Sequence, residues 1–127
     1  MLREIARLER EKAAKVATIL RTGFGVTITP GGPAQALHRA AARAAPTYQA
    51  LVRAVQRSPV VAPDETGWKV GGHLWWLWAF VTPTVTVYAI QPGRGYAQAT
   101  AILSPDYAGV LVRDGWAPYR KLRHATH

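Results

Sequence analysis

Acidic side chains are scarce after the first twelve residues of this 127-residue chain, which leaves four: Asp64, Glu65, Asp106 and Asp114. Two of them, Asp64 and Asp114, each follow a short apolar run, 60–62 in the first case and 108–112 in the second. Two carboxylates that are brought together repel each other unless one is protonated or a cation lies between them. Because Mg²⁺ prefers oxygen ligands, the pair indicates a metal site. Paired Mg²⁺ ions serve phosphodiester chemistry.

Each of these carboxylates also has a structural interpretation. An Asp that precedes Gly, as Asp114 precedes Gly115, is often a turn residue, and Asp64 could cap a turn beside Thr66. Such metal sites also normally use a third carboxylate. On residue types and spacing alone, both interpretations stay open.

The residues between the two carboxylates predict a sheet that would bring them together. Antiparallel strands are predicted over 60–70, 73–81 and 84–90, with turns at Gly71-Gly72 and Thr82-Pro83. A helix over 96–103 leads to a strand over 108–112, whose wholly apolar composition predicts burial on both faces. A right-handed crossover would place this last strand parallel to the first. Since neighbouring strands lie about 4.8 Å apart, Asp64 and Asp114 would then converge.

The first 58 residues predict helices instead of strands. Apolar residues recur at steps of three and four over 2–21, before a stop at Gly23. A second helix is predicted over 33–44, which Pro46 breaks or kinks, and a third helix follows and ends before Ser58. Short helices joined by a turn suggest a helix-turn-helix-like region, and a plain helical arm fits equally well. The predicted domains are therefore 1–58 and 59–127.

Positive charge is concentrated in the helical half. The net charge is +9, of which residues 1–57 contribute +7 and residues 58–127 contribute +2. A basic surface of this kind usually binds a polyanion, most often nucleic acid. Pairs of arginines four residues apart, and one arginine between two glycines, are the candidate DNA-binding residues: Arg39, Arg43, Arg53, Arg57 and Arg94. A solvated basic surface is the alternative.

Composition excludes several classes of protein. The chain has no cysteine, which excludes disulfides, thiol catalysis and cysteine-ligated metals. Its longest apolar run, Leu74 to Val81, has eight residues, whereas a membrane span needs about 20. The charged first residues contain no apolar signal core. We therefore expect a cytoplasmic protein with no membrane partner.

Three blocks of sequence carry a family resemblance. They are Asp-Glu-Thr-Gly-Trp-Lys-Val-Gly-Gly at 64–72, the tryptophan-rich strand at 74–83, and Gly-Val-Leu-Val-Arg-Asp-Gly-Trp-Ala-Pro-Tyr at 109–119. Upstream, residues 29–32, 36–37 and 46–48 also fit. Together these residues resemble the catalytic core of insertion sequence 66 family transposases and the helical stretch that precedes it. The resemblance extends from about Lys15 to His127.

This resemblance implies a DDE transposase with an α/β (α+β), ribonuclease-H-like mixed sheet. Asp64 would be the first catalytic and metal-binding carboxylate, on the first strand, and Asp114 the second, at the end of the fourth. With a Glu they would hold two Mg²⁺ or Mn²⁺ ions. Water would attack a phosphodiester at the end of the element, and the freed 3′-hydroxyl would attack target DNA. The implied partner is double-stranded DNA, from the element ends and the target.

The chain also departs from the family pattern. No acid follows Asp114, so the third metal ligand, the fifth strand and the helix after it are expected to be missing. The family's usual N-terminal zinc-binding region is expected to be missing too, which fits the absence of cysteine. Glu65 is a poor substitute ligand, because neighbouring strand residues point to opposite faces. We expect a truncated transposase, incomplete at its C-terminus, that is not catalytically competent alone and forms a two-metal site only in the complete protein.

Two other functions remain as alternatives. The chain could be a non-catalytic DNA-binding protein that uses its basic helices. It could also be a decayed transposase remnant whose open sheet associates with other copies through an exposed edge, forming a homo-oligomer.

Overall fold

The computed structural model describes the backbone of residues 2–115 and 117–127, and side chains from residue 6 within those ranges. Contacts divide the chain into two compact units, Met1–Ala45, the helical unit, and Pro46–His127, the sheet unit. Domain boundaries at 58 and 59 stay a prediction. The sequence also predicts a helix from Trp116 onward; this residue lies outside the described residues, and those after it form a 3₁₀ helix over Ala117–Lys121. Within the described residues, no helix combines the length and apolarity that crossing a membrane requires.

Two long helices begin the chain, α1 (Leu2–Phe24) and α2 (Gly31–Arg57). The left-handed residue after α1 is Gly25, with φ +67°, and its N–H donates to the carbonyl of Arg21 at 3.2 Å. Glycine adopts this conformation without a steric penalty. The helix therefore ends slightly later than predicted from Gly23.

The predicted helix break at Pro46 is wrong, because α2 is one helix that continues through this residue. Proline removes one backbone hydrogen bond from a helix interior. However, four of the five residues before it (41, 42, 44 and 45) are alanine, the strongest helix former. Val52 and Val55 near the end of α2 are also buried, which stabilises the helix beyond the proline. Two separate short helices, the basis for the helix-turn-helix interpretation, are therefore not present over 33–57.

The sheet unit contains a four-stranded mixed sheet in the order β3-β2-β1-β4. Its strands are β1 (Val60–Val70), β2 (His73–Val81), β3 (Thr86–Gln91) and β4 (Val110–Leu111). Strands β1 and β2 form an antiparallel hairpin through Gly71 and Gly72, both with positive φ, and β3 pairs antiparallel with β2. Helix α3 (Tyr96–Leu103) connects the meander to β4, which pairs parallel with β1. The predicted meander, crossover helix and parallel fourth strand are confirmed.

One face of the sheet carries the core of this unit. Alternate strand residues such as Val61, Trp78 and Val87 are buried against the end of α2, α3 and a 3₁₀ helix over Ala117–Lys121. Trp78 stacks on Phe80, with ring centroids 5.9 Å apart, and meets Tyr119 edge-on at 6.5 Å. Such aromatic contacts add to the burial of the rings themselves.

Strand β4 is shorter and more exposed than predicted. Leu111 is buried, but Val110 and Val112 are exposed, so the prediction of burial on both faces is wrong. The reason is that, in the described part of the unit, the packed helices cover one face of the sheet. Beyond β4, Thr126 forms a single parallel bridge with Val110, and its carbonyl accepts from the N–H of Leu111 at 2.8 Å.

Replacing Leu103 by Ala should destabilise the sheet unit by about 2–5 kcal/mol, because the fully buried side chain leaves a cavity. Urea unfolding followed by tryptophan fluorescence measures this, since all five tryptophans lie after residue 46. Leu74→Ala is the matched control: this leucine is 58% exposed and its loss should change the free energy of unfolding by less than about 0.5 kcal/mol. Equal effects of the two substitutions would contradict the described core.

Candidate functional site

Asp64 lies on strand β1, and Asp114 lies just after strand β4, the parallel neighbour of β1. Val60 is aligned with Val110 and Val61 with Leu111. The pairing continues past β4, because the N–H of Val112 donates to the carbonyl of Val61 at 2.9 Å. Strand β4 itself ends at Leu111, and extending the same register beyond it would place Asp114 opposite Asp64. Both side chains are exposed, so neither is closed off from solvent by the core.

Tyr119 is a buried tyrosine whose pKa depends on the carboxylates of this unit. The pKa of this buried tyrosine is raised well above its usual range, first by burial and then by its hydrogen bond to Glu65. The negative charges of Glu65, Asp114 and Asp64 raise it further. Of these three carboxylates, Glu65 is in direct contact with the phenol, at 2.8 Å.

Glu65 points to the opposite face of β1 from Asp64, as predicted. Its side chain is 4% exposed and lies on the core side of the sheet. One carboxylate oxygen, Oε1, accepts from Arg94 Nε at 2.7 Å, and the other, Oε2, accepts from the hydroxyl of Tyr119 at 2.8 Å. Since both oxygens are engaged within the protein, Glu65 does not replace the third metal ligand.

Arg94 was predicted to contact a DNA phosphate, and the structure places it beside Glu65. Its guanidinium also lies over the ring of Trp76, 4.8 Å from the centroid, a favourable cation–π geometry. The loop before α3 is fixed further by Trp78, whose indole N–H donates to the carbonyl of Gly93 at 3.2 Å. Arg94 is thus held by the protein, and a role of Arg94 in DNA binding stays a prediction.

The segment that carries Asp114 has its own contacts. Arg113 donates to the carbonyl of Asp114 through Nη1 at 2.8 Å and to His127 Nδ1 through Nε at 3.1 Å. These bonds fix the backbone at Asp114 while its carboxylate remains exposed.

The four predicted DNA-binding arginines of α2 are all exposed. Arg39 and Arg43 belong to the helical unit, and Arg53 and Arg57 to the sheet unit. Within each pair the residues are four apart, so their side chains lie on one side of the helix. The structure therefore leaves these arginines accessible to a phosphate backbone.

The donor set at Asp64 and Asp114 suits a hard divalent cation, because it consists of exposed carboxylate oxygens. It is a partial set, since no group of three His, Asp or Glu side chains among the described residues could hold a metal ion. The assignment of Asp64 and Asp114 as two of the three metal ligands that the resemblance implies stays a prediction.

Sequence reasoning missed the cluster formed by Glu65, Arg94, Trp76 and Tyr119. Period-two alternation placed Glu65 on the opposite face from Asp64, the face that carries the core, and a buried carboxylate requires a partner. The need for a partner could therefore be predicted from the sequence. Which residues are the partners could not, because Arg94 and Tyr119 are 29 and 54 residues away from Glu65 in sequence.

Raising the pH above about 10 should lower the free energy of unfolding of the sheet unit more in the parent than in Tyr119→Phe. The folded-state pKa of Tyr119 is raised, so the folded chain keeps a proton that the unfolded chain loses. Its contribution to stability is therefore present below the unfolded pKa and lost as the pH rises. Tyr48 and Tyr107, whose pKa values are also raised by burial, leave a residual slope. Urea midpoints between about pH 8 and about pH 11 measure the difference, and identical slopes would refute it.

Comparison with known proteins identifies the family. The chain matches the family model described as Transposase IS66 family over residues 14–127, which include the whole sheet, both candidate carboxylates and the Glu65 cluster. No match was found among curated proteins or among solved structures. The four-stranded mixed sheet is the ribonuclease-H-like arrangement that the sequence resemblance implied. The chain therefore belongs to the transposase IS66 family.

Proposed function

We propose that this chain contributes two carboxylates, Asp64 and Asp114, to the active site of a DDE transposase. The observation that supports the proposal is the parallel register of β1 and β4 in a chain of a transposase family, because its extension beyond β4 would bring these two exposed residues opposite each other. The reaction is hydrolysis of a phosphodiester at the end of the element, followed by attack of the freed 3′-hydroxyl on target DNA.

Asp64 and Asp114 would be the residues that hold Mg²⁺ or Mn²⁺. When bound, such ions lower the pKa of water and neutralise charge that develops on phosphate oxygens. The chain's own contribution is to place two carboxylates at the end of one strand pair, open to a phosphodiester. Because the described residues offer no third acid there, we infer that this chain alone does not turn over DNA.

DNA binding by the exposed arginines of α2 is the other part of the proposal. Double-stranded DNA is a dense polyanion, and each contact between an arginine and a phosphate releases counterions. The exposure of Arg39, Arg43, Arg53 and Arg57 and the charge of +7 in residues 1–57 support this role. The same charge supports a non-catalytic DNA-binding protein, so the metal and DNA experiments are designed to separate the two functions.

Asp64→Asn and Asp114→Asn should each weaken Mn²⁺ binding by more than about tenfold, because each replaces a charged ligand with a neutral one of the same shape. Titration of Mn²⁺ into the chain, followed by electron paramagnetic resonance, measures the free ion directly. Asp106→Asn is the matched control, since Asp106 is also exposed but lies in the turn after α3.

The result that would contradict the metal site is specific. If Asp64→Asn and Asp114→Asn bind Mn²⁺ as well as Asp106→Asn does, these carboxylates do not form a site. Retained DNA binding in the same samples would then favour the non-catalytic DNA-binding protein.

Replacing Arg39, Arg43, Arg53 and Arg57 together by Gln should weaken binding of duplex DNA and reduce its dependence on salt. Each lost phosphate contact should reduce the slope of log K against log salt concentration by about 0.9. Fluorescence anisotropy over a salt series, without divalent metal, measures both quantities. Asp64→Asn should leave them unchanged.

A charge-matched variant is the control for this experiment. It replaces four other exposed basic residues by Gln: Lys12, Lys15, Arg120 and Arg123. If both quadruple variants lose the same affinity and the same slope, binding follows net charge, and the assignment to the arginines of α2 fails.

A further inference from the structure

The carboxylate of Glu65 joins three parts of the sheet unit at one buried point. It sits on β1 directly after Asp64. Arg94, on the loop before α3, binds one of its oxygens, and Tyr119, in the 3₁₀ helix five residues after Asp114, binds the other. The core side of β1 is thus linked to the segments before α3 and after β4.

The segment that carries Asp114 has little strand pairing of its own. Strand β4 has two residues, and its bonds to β1 extend as far as the N–H of Val112. Asp114 lies beyond that point, before the 3₁₀ helix. Tyr119 follows Asp114 in the chain, and its hydroxyl donates to Glu65 on β1. This bond therefore restrains the other end of the segment that carries Asp114.

We propose that Glu65 is a positioning residue, which through Tyr119 holds the segment after β4 against β1 and so keeps Asp114 on the same side of the unit as the end of the β1–β4 pair. The functional consequence of this restraint rests on the proposed function of the two carboxylates. The restraint on the segment after β4 does not depend on that function, and it can be measured without metal or DNA.

The chemistry of the link suits this role. Hydrogen bonds to an ionised carboxylate are shorter and stronger than those between neutral groups, and low local polarity strengthens them further. Arg94 Nε lies 2.7 Å from Glu65 Oε1, so the guanidinium pairs with a carboxylate that is 4% exposed. The ring of Tyr119, packed edge-on against Trp78, fixes the direction of the hydroxyl. Both partners of the bond are therefore held in place before any ligand binds.

The decisive variant is Tyr119→Phe, which removes the hydroxyl and keeps the buried ring. Tyr48→Phe is the matched control, because the Tyr48 hydroxyl also donates to one acceptor in the same unit, the carbonyl of Tyr88 at 2.9 Å. Hydrogen exchange of backbone amides in the metal-free chain is the first measurement. We expect amides in 112–115 and 117–122 to exchange about tenfold faster in Tyr119→Phe, with the β1–β2 amides unchanged.

Mn²⁺ affinity is the second measurement. Tyr119→Phe should weaken it by about tenfold, as loss of a positioning contact typically does, whereas Tyr48→Phe should leave it unchanged. Glu65→Gln keeps an oxygen that accepts from Tyr119 and should retain more affinity than Glu65→Leu. A purely structural role would instead accelerate exchange throughout the sheet and make the two Glu65 variants equivalent.

The two proposals fail in distinguishable ways. If exchange in 112–115 and 117–122 is the same in Tyr119→Phe and the parent, or rises equally in Tyr48→Phe, the positioning role is overturned whatever the metal affinity. If the parent binds no Mn²⁺ but the selective exchange effect is present, the restraint by Glu65 is supported and the metal-binding function fails.

Discussion

Parallel pairing between β1 and β4 is the interaction on which the rest of the sheet unit depends. Backbone hydrogen bonds at both ends of the pairing are from the N–H of Val110 to the carbonyl of Pro59 at 2.8 Å and from the N–H of Val112 to the carbonyl of Val61 at 2.9 Å. A parallel neighbour requires a crossover connection, and α3 with its loops supplies it. The pairing places two chain segments that are 50 residues apart side by side. Without it, Asp64 and Asp114 would have no fixed relation.

Such a short pairing cannot hold the site alone, and the buried side of β1 supplies the remaining restraint. Burying a carboxylate is unfavourable unless its charge is paired and its oxygens are hydrogen-bonded. Arg94 and Tyr119 meet both conditions for Glu65. If one partner were removed, a buried charge would be left uncompensated, so the structure favours arrangements in which all three segments come together. The free-energy penalty of burying Glu65 thus favours the arrangement of chain segments that also carries Asp64 and Asp114.

The sequence predicted most of the sheet, because local signals there agree with tertiary packing. Gly71-Gly72 marked the turn, and so the residue at which β1 ends and the residue at which β2 begins. The bounds of β1, β2 and α3 are as predicted. The prediction of a helix break at Pro46 was wrong, because the alanines before this residue and the buried valines after it outweigh the helix-breaking tendency of one proline. The prediction that β4 is buried on both faces was wrong, because apolar composition does not show which elements cover a face of the sheet. The partners of Glu65 depend on contacts that are far apart in sequence, which no local pattern encodes.

Adjacent residues on β1 have opposite environments, and this explains why the register of the hairpin matters for function. Asp64 is aligned with Ala79 on the exposed face, and Glu65 is aligned with Trp78 on the core face. A slip of one residue would move every side chain of the strand to the other face, which would bury Asp64 and expose Glu65. The glycine turn and nine aligned pairs between β1 and β2 oppose that slip. The same pairs therefore maintain the core, the buried link to Tyr119 and the exposure of the candidate catalytic carboxylate.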